Sequence, residues 1–145
     1  MDSAEFAHGF KRFSKGGMAA LDFPGGQFTQ PAGINDSGAI VGSFSDSTGE
    51  HGFLYHSGSW AKVDYPGSAG TTQPTGISNA NGIIGFSTST EPSTAFLYAN
   101  GVSKVISVPN SFYTIANGIA PGRLITGMTL PNGSNTANGF TATCN

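Results

Sequence analysis

Cysteine, charge and long apolar runs are all scarce in this sequence. The single cysteine, Cys144, cannot form an internal disulfide, and there is no spaced cysteine cluster of the kind that binds zinc. Charged residues make up 10% of the chain, and six basic against eight acidic side chains give a net charge of -2. This balance excludes a general electrostatic attraction to nucleic acid or to an anionic membrane surface. No apolar run approaches the roughly 18 residues of a membrane-spanning helix. We therefore expect no nucleic-acid partner and no membrane partner.

Familiar catalytic and cofactor motifs are missing as well. The sequence has no Gly-x-Ser-x-Gly, no His-Glu-x-x-His and no Walker loop. Its N-terminus lacks the basic, apolar, small-residue order of a secretory signal, and residues 1–6 are interpreted as a start segment or cloning remnant. We therefore predict one folded domain over residues 7–145, with no cofactor and no metal. Without a signal, the localisation is undetermined.

What the sequence does contain is an internal repeat. The tripeptide His8-Gly9-Phe10 returns as His-Gly-Phe at 51–53, as Thr-Ala-Phe at 94–96 and as Asn-Gly-Phe at 138–140, at intervals of 43, 43 and 44 residues. Three other signatures recur between these markers in a fixed order: an Asp-aromatic-Pro-Gly turn, a Gln-Pro-x-Gly-Ile segment and an Ile-x-Gly segment. Four signatures at one period establish a repeat of about 43 residues.

Each repeat unit holds four short apolar segments separated by glycine, proline, asparagine and serine. In the second unit the predicted strands are Ala61–Tyr65, Gln73–Ile77, Gly82–Phe86 and Thr94–Tyr98. β-branched and aromatic residues fill these segments, and no window shows a sustained 3.6-residue period. The pattern predicts an all-β chain with a leading strand at 7–13. The repeat units are placed at approximately 18–58, 59–101 and 102–143.

Two all-β architectures use four strands per repeat of this length, the β-propeller blade and the β-trefoil. The His-Gly-Phe strand occurs four times and every other strand three times, which makes thirteen strands. A trefoil has no use for a thirteenth strand, whereas propellers commonly begin part-way through a blade so that the terminal strands close the ring. We therefore expect β-propeller blades, as three four-stranded repeats plus one extra strand. A single-chain β-trefoil is the alternative.

The repeat also resembles a known family. The segments at 22–25, 33–44 and 51–55 are similar to the tandem repeats of secreted or surface proteins from environmental bacteria that are named for a His-Ala-Phe tripeptide. The resemblance runs from about residue 7 to residue 140. It is weakest in the third unit, where Ser107, Asn117 and Asn138 replace the expected residues. It implies propeller-like blades and a secreted or cell-surface origin. Because the family is defined by its repeat, it implies no catalytic activity.

Three blades are too few to close a ring, since propellers typically have four to eight. An open arc of blades would expose the apolar faces of its two end sheets, and such patches drive association. We therefore predict a homodimer that closes into a six-bladed ring. The extra strand of each chain is expected to add as a fifth strand or to exchange between protomers. A compact monomer would favour the trefoil.

Candidate catalytic residues lie at positions that the repeat makes equivalent. His8 and His51 begin the same strand, and Asp22 and Asp64 precede the same turn. A histidine and an aspartate from facing chains could form an acid–base pair in a channel created by assembly. In the structural alternative, each histidine bonds to an aspartate or to backbone within its own sheet, and each aspartate accepts N–H groups of the following turn.

Aromatic side chains near turns define a candidate ligand site. Trp60 and His56 flank the turn at 57–59, and together with Tyr65 they could offer flat surfaces to the apolar face of a sugar. The sequence therefore favours a binding or scaffolding module that recognises a glycan, a small molecule or another surface ligand through repeated sites. The alternative is a hydrolase or other small-molecule enzyme with a His/Asp site in the channel. Whether the chain is an enzyme stays open at this point.

Overall fold

Thirteen β-strands and one short 3-10 turn at Pro121–Arg123 account for the regular structure of the described residues. The computed structural model describes residues 6–68, 70–89 and 93–144, so residues 1–5 of the predicted start segment lie outside it. Within the described residues there is no α-helix, and no helix long and apolar enough to cross a membrane. The all-β prediction is confirmed.

The strands are short and are separated by tight turns. Both residues of the turns Ser57–Gly58 and Asn100–Gly101 have positive φ, as the favoured two-residue hairpin turns require. The strands are β1 Gly9–Arg12, β2 Met18–Leu21, β3 Phe28–Ile34, β4 Ile40–Asp46, β5 Gly49–His56, β6 Ser59–Lys62, β7 Thr72–Ile77, β8 Ile83–Ser87, β9 Thr94–Ala99, β10 Val102–Ile106, β11 Ser111–Ala120, β12 Leu124–Pro131 and β13 Asn138–Thr143.

Four antiparallel sheets follow one another along the chain. Sheet I is β1–β2, sheet II is β3–β4–β5–β6, sheet III is β7–β8–β9–β10 and sheet IV is β11–β12–β13. Three of the predicted strands of the second unit overlap β7, β8 and β9. The predicted strand Ala61–Tyr65 instead corresponds to β6, which ends at Lys62 and pairs with β5 in sheet II. The boundary between sheets II and III therefore falls after β6, whereas the boundary between the first two sequence units falls before it.

The repeat assigns each strand a place in a four-strand unit. First strands are β3, β7 and β11; second strands are β4, β8 and β12; third strands are β1, β5, β9 and β13; fourth strands are β2, β6 and β10. Sheets II and III contain all four. Among the described residues, sheet I contains only the third and fourth strands, and sheet IV only the first three.

Two of the repeated motifs form one cross-strand contact. The glycine of Ile-x-Gly on the second strand lies opposite the phenylalanine of the third strand in every sheet that contains both strands. The pairs are Gly42 with Phe53, Gly85 with Phe96 and Gly127 with Phe140. A Cβ atom at Gly127 would lie 2.7 Å from Cε1 of Phe140. The absence of a side chain on the second strand therefore makes room for the rings of Phe96 and Phe140 and, at all three glycines, for a backbone oxygen of the first strand.

The core consists of three apolar clusters, each between two successive sheets. Ile83 and Ile84 are adjacent on β8 and belong to different clusters, because successive side chains of a strand point to opposite faces. Sheet III is therefore buried on both faces. The clusters are Leu21, Ile40, Phe44 and Phe53 between sheets I and II; Ala39, Val41, Val63, Ile77 and Ile83 between sheets II and III; and Ile84, Ala95, Leu97, Ile106, Ala116 and Ile125 between sheets III and IV.

Close packing between sheets explains a second pair of motif residues. A Cβ atom at Gly52 on β5 would clash with the backbone oxygen of Val63 and lie 2.7 Å from Cγ of Pro74 on β7, so glycine at this position allows both neighbours to approach closely. Between sheets III and IV the same two positions hold Ala95 and Ala116, both fully buried. The equivalent pairs in chain order are Gly9 with Pro31, Gly52 with Pro74, and Ala95 with Ala116. A larger residue on one strand thus accompanies a smaller one on the other.

Polar turns connect sheets II and III at one end. The Asn35 side-chain amide donates to the backbone oxygen of Ser78 and to Oδ1 of Asn81, both at 3.0 Å. Asp36, the residue after Asn35, bonds to Asn79, the residue after Ser78. Nδ2 of Asn79 donates to Oδ2 of Asp36 at 2.6 Å, and the Asp36 N–H donates to Oδ1 of Asn79 at 3.0 Å. These contacts join residues one repeat apart, so each turn holds its counterpart in the next sheet.

Candidate functional site

His51 lies near the start of β5 and is buried in sheet II. Its Nδ1 atom is 2.9 Å from Oδ2 of Asp64, and Oδ1 of Asp64 accepts the backbone N–H of Gly52 at 3.1 Å. Asp64 follows the fourth strand of the sheet, so its carboxylate fastens the chain beyond β6 to the third strand. We call this contact the His–Asp clamp.

The other side of the His51 ring faces a hydroxyl in the preceding hairpin turn. Nε2 of His51 is 2.7 Å from Oγ1 of Thr48, and this hydroxyl is 2.6 Å from Oδ1 of Asp46. The Thr48 N–H also donates to the same carboxylate oxygen at 2.7 Å, and Lys62 Nζ lies 3.8 Å from Oδ2. The hydrogen bonds from the Thr48 hydroxyl and N–H, in that order, hold the pKa of Asp46 below its ordinary value.

Both ring nitrogens of His51 have a partner within sheet II. A carboxylate only accepts, so Nδ1 of His51 donates to Asp64. Nε2 is in contact with the Thr48 hydroxyl, which in turn donates to Asp46. The imidazole is thus held on both sides by groups of its own sheet.

The same clamp occurs in sheet I between His8 and Asp22. Nδ1 of His8 is 3.1 Å from Oδ1 of Asp22, and both side chains are largely exposed. The structure therefore brings the predicted catalytic candidates together as two separate pairs, each within one sheet. It does not pair the histidine of one sheet with the aspartate of another. This is the arrangement of the structural alternative, in which each histidine bonds to an aspartate within its own sheet.

The predicted aromatic platform is largely used for packing. The Trp60 ring is half-buried, with its centroid 4.7 Å from that of Tyr55 and 5.2 Å from that of Phe53. Tyr65 is also half-buried and stacks on Phe96 at a centroid distance of 5.4 Å. Only part of the Trp60 ring is therefore available to a ligand, because the neighbouring strand brings other rings against it. His56 is exposed, with Nε2 3.2 Å from the backbone oxygen of residue 37.

A repeated threonine was missed by the sequence-based reasoning. Each copy is buried, and its Oγ1 atom accepts a backbone N–H from the turn that follows the aspartate position. The three bonds are Phe23 N–H to Thr29 at 2.9 Å, Tyr65 N–H to Thr72 at 3.1 Å, and Val108 N–H to Thr114 at 3.4 Å. The signal was available, because these threonines recur at the repeat period. They hold each turn against the first strand of the next sheet.

Cavities lie at the open end of sheet I. Two of about 380 Å³ each share Phe10 and Pro31 and form a groove between β1 and β3, which also includes Ile34 and Ile40. Among the described residues, no group of three or more His, Cys, Asp or Glu side chains is placed to hold a metal ion. The groove is mainly apolar and shares no residue with the His51 cluster.

Two features are thus the candidates for function: the His–Asp clamps inside sheets I and II, and the apolar groove between β1 and β3. The clamps consist of polar groups that satisfy one another, whereas the groove leaves apolar side chains uncovered. The chain matches no model of a known protein family and no curated protein.

Proposed function

We propose that this chain is a binding and scaffolding module of extracellular type, built from β-propeller blades. The observation that carries the proposal is the stacking of the sheets. Sheet III, a four-stranded meander, buries one face against sheet II and the other against sheet IV. The first strands β3 and β7 are in contact, as are β7 and β11, which is how the inner strands of adjacent blades lie around a propeller axis.

The pairing of strands supports blades over the trefoil alternative. A trefoil closes its barrel by pairing strands from different repeats. Here every ladder among the described residues joins strands that are consecutive in sequence, apart from one isolated bridge between Glu50 and Thr71. Elsewhere the sheets meet mainly through side chains, with single backbone hydrogen bonds from Thr29 to Ala7 and from Thr114 to Ser93. The resemblance to the His-Ala-Phe repeats supports the same arrangement and the extracellular assignment.

The polar residues of the repeat support a scaffolding role. His51 and Asp64 close one sheet, and Thr72 fastens the turn that leads to the next. Asn35 connects the turns of sheets II and III. In each case the side chain holds backbone or a neighbouring strand in place. Such residues stabilise a rigid support on which exposed turns can present a ligand site.

The ligand we propose is a glycan, bound at the β5–β6 turn of sheet II. His56 is exposed there, and the half-buried Trp60 lies on the opposite strand of the same hairpin. Trp60 is paired with Tyr55 and His56 with Ser59, so the exposed imidazole lies on one face of the hairpin and the partly exposed edge of the indole on the other. A sugar at the tip of this turn could use the imidazole as a hydrogen-bonding group and the indole edge as an apolar surface.

A labelled sample of the whole chain on an array of bacterial and plant surface glycans tests this proposal. We expect binding to a defined subset of glycans, reduced by His56→Ala, which alters an exposed side chain. Asn135→Ala, an exposed position in the β12–β13 loop, is the matched control and should bind as the unaltered chain does. An array with no bound glycan, or one on which His56→Ala changes nothing, would refute the proposed ligand site.

A hydrolase is the second candidate, on one observation. Thr48, His51 and Asp64 form a hydrogen-bonded series in the order of nucleophile, base and orienting acid. Asp46 weakens this candidate, because it accepts the hydroxyl proton that the histidine would have to remove. Hydrolysis of p-nitrophenyl acetate by the unaltered chain, Thr48→Val and His51→Gln distinguishes the two functions. The scaffolding role predicts the buffer rate for all three, whereas a rate lost in both variants would favour the hydrolase.

A further inference from the structure

Sheet I and the strand that follows it expose apolar side chains that the repeat buries elsewhere. Phe10 is 65% exposed, whereas the equivalent Phe53 and Phe96 are 0% and 1% exposed. Ile34 on β3 is 64% exposed, whereas the equivalent Ile77 on β7 is 7% exposed. Large apolar side chains grouped in this way mark an interaction surface.

The strands missing from sheet I explain this exposure. In the later interfaces, the first strand of a sheet packs on the second strand of the sheet before it: β7 on β4, and β11 on β8. In the described residues, sheet I has no second strand on which β3 could pack. The groove between β1 and β3 lies at the place where such a strand would be. Within the same residues β1 pairs only with β2, so its other edge presents free backbone N–H and C=O groups. The groove therefore fits a first and a second strand of this repeat.

Sheet IV carries the complementary set of strands. It contains a first and a second strand, β11 and β12, and in the described part of the chain no further sheet packs on their outer face. Leu124 on β12 is 44% exposed, whereas the equivalent Ala39 on β4 is 4% exposed and faces sheet III. The outer face of β12 therefore corresponds to the face of sheet II that packs against sheet III.

We infer that a second copy of this chain completes both end sheets. The β11–β12 hairpin of one copy enters the groove of the other, and β1 of that copy pairs with β12 in place of β13. The composite sheet has the order β11–β12–β1–β2, with Gly127 opposite Phe10 as Gly85 is opposite Phe96. Two composite sheets and two copies of sheets II and III make a six-bladed ring with two-fold symmetry. This inference rests on the blade arrangement proposed above.

The residues of β13 favour its replacement by β1. Four of its six residues are exposed, and it begins with Asn138 in place of the histidine that makes the clamp. The main apolar contribution of β13 is the half-buried Phe140, and Phe10 is the same side chain at the same repeat position. β1 also brings the fourth strand and the clamp between His8 and Asp22. Exchange of equivalent elements between copies is a low-cost route to a dimer.

A disulfide between copies tests the predicted register. Thr126 lies opposite Thr141 in sheet IV, so Lys11, which occupies the place of Thr141 in the repeat, would lie opposite Thr126 in the composite sheet. Directly opposed residues in antiparallel strands are close enough for a disulfide. The variant carries Lys11→Cys and Thr126→Cys with Cys144→Ser, and the two single-cysteine chains are the matched controls. We expect oxidation to give a covalent dimer whose peptide map contains the 11–126 link.

A second variant tests the groove without altering the core of the single chain. Ile34→Ser changes a side chain that is exposed until the partner covers it, so the chain should still fold. Loss of a buried isoleucine should raise the dimer dissociation constant about tenfold or more. Val102→Ser is the matched control, since Val102 is similarly exposed on the edge strand of sheet III, outside the groove. Sedimentation velocity across a concentration series measures both.

The outcomes separate this inference from the proposed function. A chain that stays monomeric, or a dimer without the 11–126 link and insensitive to Ile34→Ser, overturns the composite sheet. Glycan binding by such a chain would leave the proposed function standing. A cross-linked dimer that binds no glycan would support the composite sheet and refute the proposed ligand.

Discussion

Replacement of Asn35 measures how strongly the turns of neighbouring sheets hold one another. The side chain is buried, and its Oδ1 atom accepts the N–H of Ala39 at 3.0 Å, together with the N–H and the hydroxyl of Ser37. Its Nδ2 atom donates to Ser78 and Asn81 in sheet III. One amide group therefore supports its own turn through the oxygen and joins two sheets through the nitrogen.

Asn35→Ala removes both functions. The buried N–H of Ala39 loses its acceptor, which costs about 1–3 kcal/mol, and the loss of a bond to the Ser78 oxygen costs about 1 kcal/mol more. We expect a destabilisation of about 2–4 kcal/mol, or a fall in Tm of roughly 5–12 °C for a chain of this size. Asn35→Asp keeps the acceptor for Ala39 but places a carboxylate oxygen against the Ser78 oxygen. It therefore removes the contact between sheets and adds oxygen–oxygen repulsion there, while the turn keeps its acceptor.

Urea and thermal unfolding, followed by Trp60 fluorescence and circular dichroism, measure these changes. Asn135→Ala is the control and should lie within about 0.5 kcal/mol of the unaltered chain, as exposed substitutions usually do. If Asn35→Ala also lay within about 0.5 kcal/mol, the turn contacts would not stabilise the stack. If Asn35→Asp were as stable as the unaltered chain, the bonds between sheets would be without energetic effect.

Three further predictions concern packing and ionisation. Gly52→Ala should destabilise the chain by about 1–3 kcal/mol, because an added Cβ atom would clash with the Val63 backbone oxygen and lie 2.7 Å from Cγ of Pro74. Pro74→Ala relieves the second contact, as in the alanine pair between sheets III and IV, so adding it should recover part of the loss; a double variant no more stable than Gly52→Ala would contradict the size matching. Because the pKa of Asp46 is lowered in the folded chain, its stabilising effect should be present above the ordinary aspartate pKa and disappear as the pH falls through its folded value. Thermal unfolding between pH 6 and pH 2 should therefore be less pH-dependent in Asp46→Asn, and identical profiles would argue against the role of the carboxylate. The Lys11 ammonium group, 3.0 Å from the Tyr55 hydroxyl, lowers the pKa of that phenol, so one tyrosine should ionise early in an ultraviolet titration. Lys11→Met should return it toward the others, and an unchanged titration would refute the contact.

The strand content could be predicted from the sequence, but the grouping of strands could not. A period of about 43 residues reveals how many equivalent strands exist and leaves open where a sheet begins. β6 illustrates the difference, because the sequence assigned it to the second unit and the hairpin turn at Ser57–Gly58 joins it to β5. Its predicted end at Tyr65 was too late. Val63 packs into the core between sheets, and Asp64 turns back to clamp His51.

The candidate site was predicted less completely, for a physical reason in each case. The His–Asp contact was foreseen as a structural alternative, because both residues recur at one period and polar repeat positions usually bond within the fold. The role of Thr48 depends on where a hairpin turn places one hydroxyl, which no spacing rule provides. The burial of Trp60 depends on Phe23, which is distant in sequence and reaches the ring through the packing of sheet I on sheet II.

The central claim is that the two end sheets are incomplete forms of one repeated unit and complete each other between two copies. The molar mass of the unaltered chain in solution, measured by light scattering over a concentration series, tests this most directly. The account predicts twice the 14.8 kDa of the single chain, with a dimer weakened by Ile34→Ser. A mass of 14.8 kDa at every concentration would contradict it.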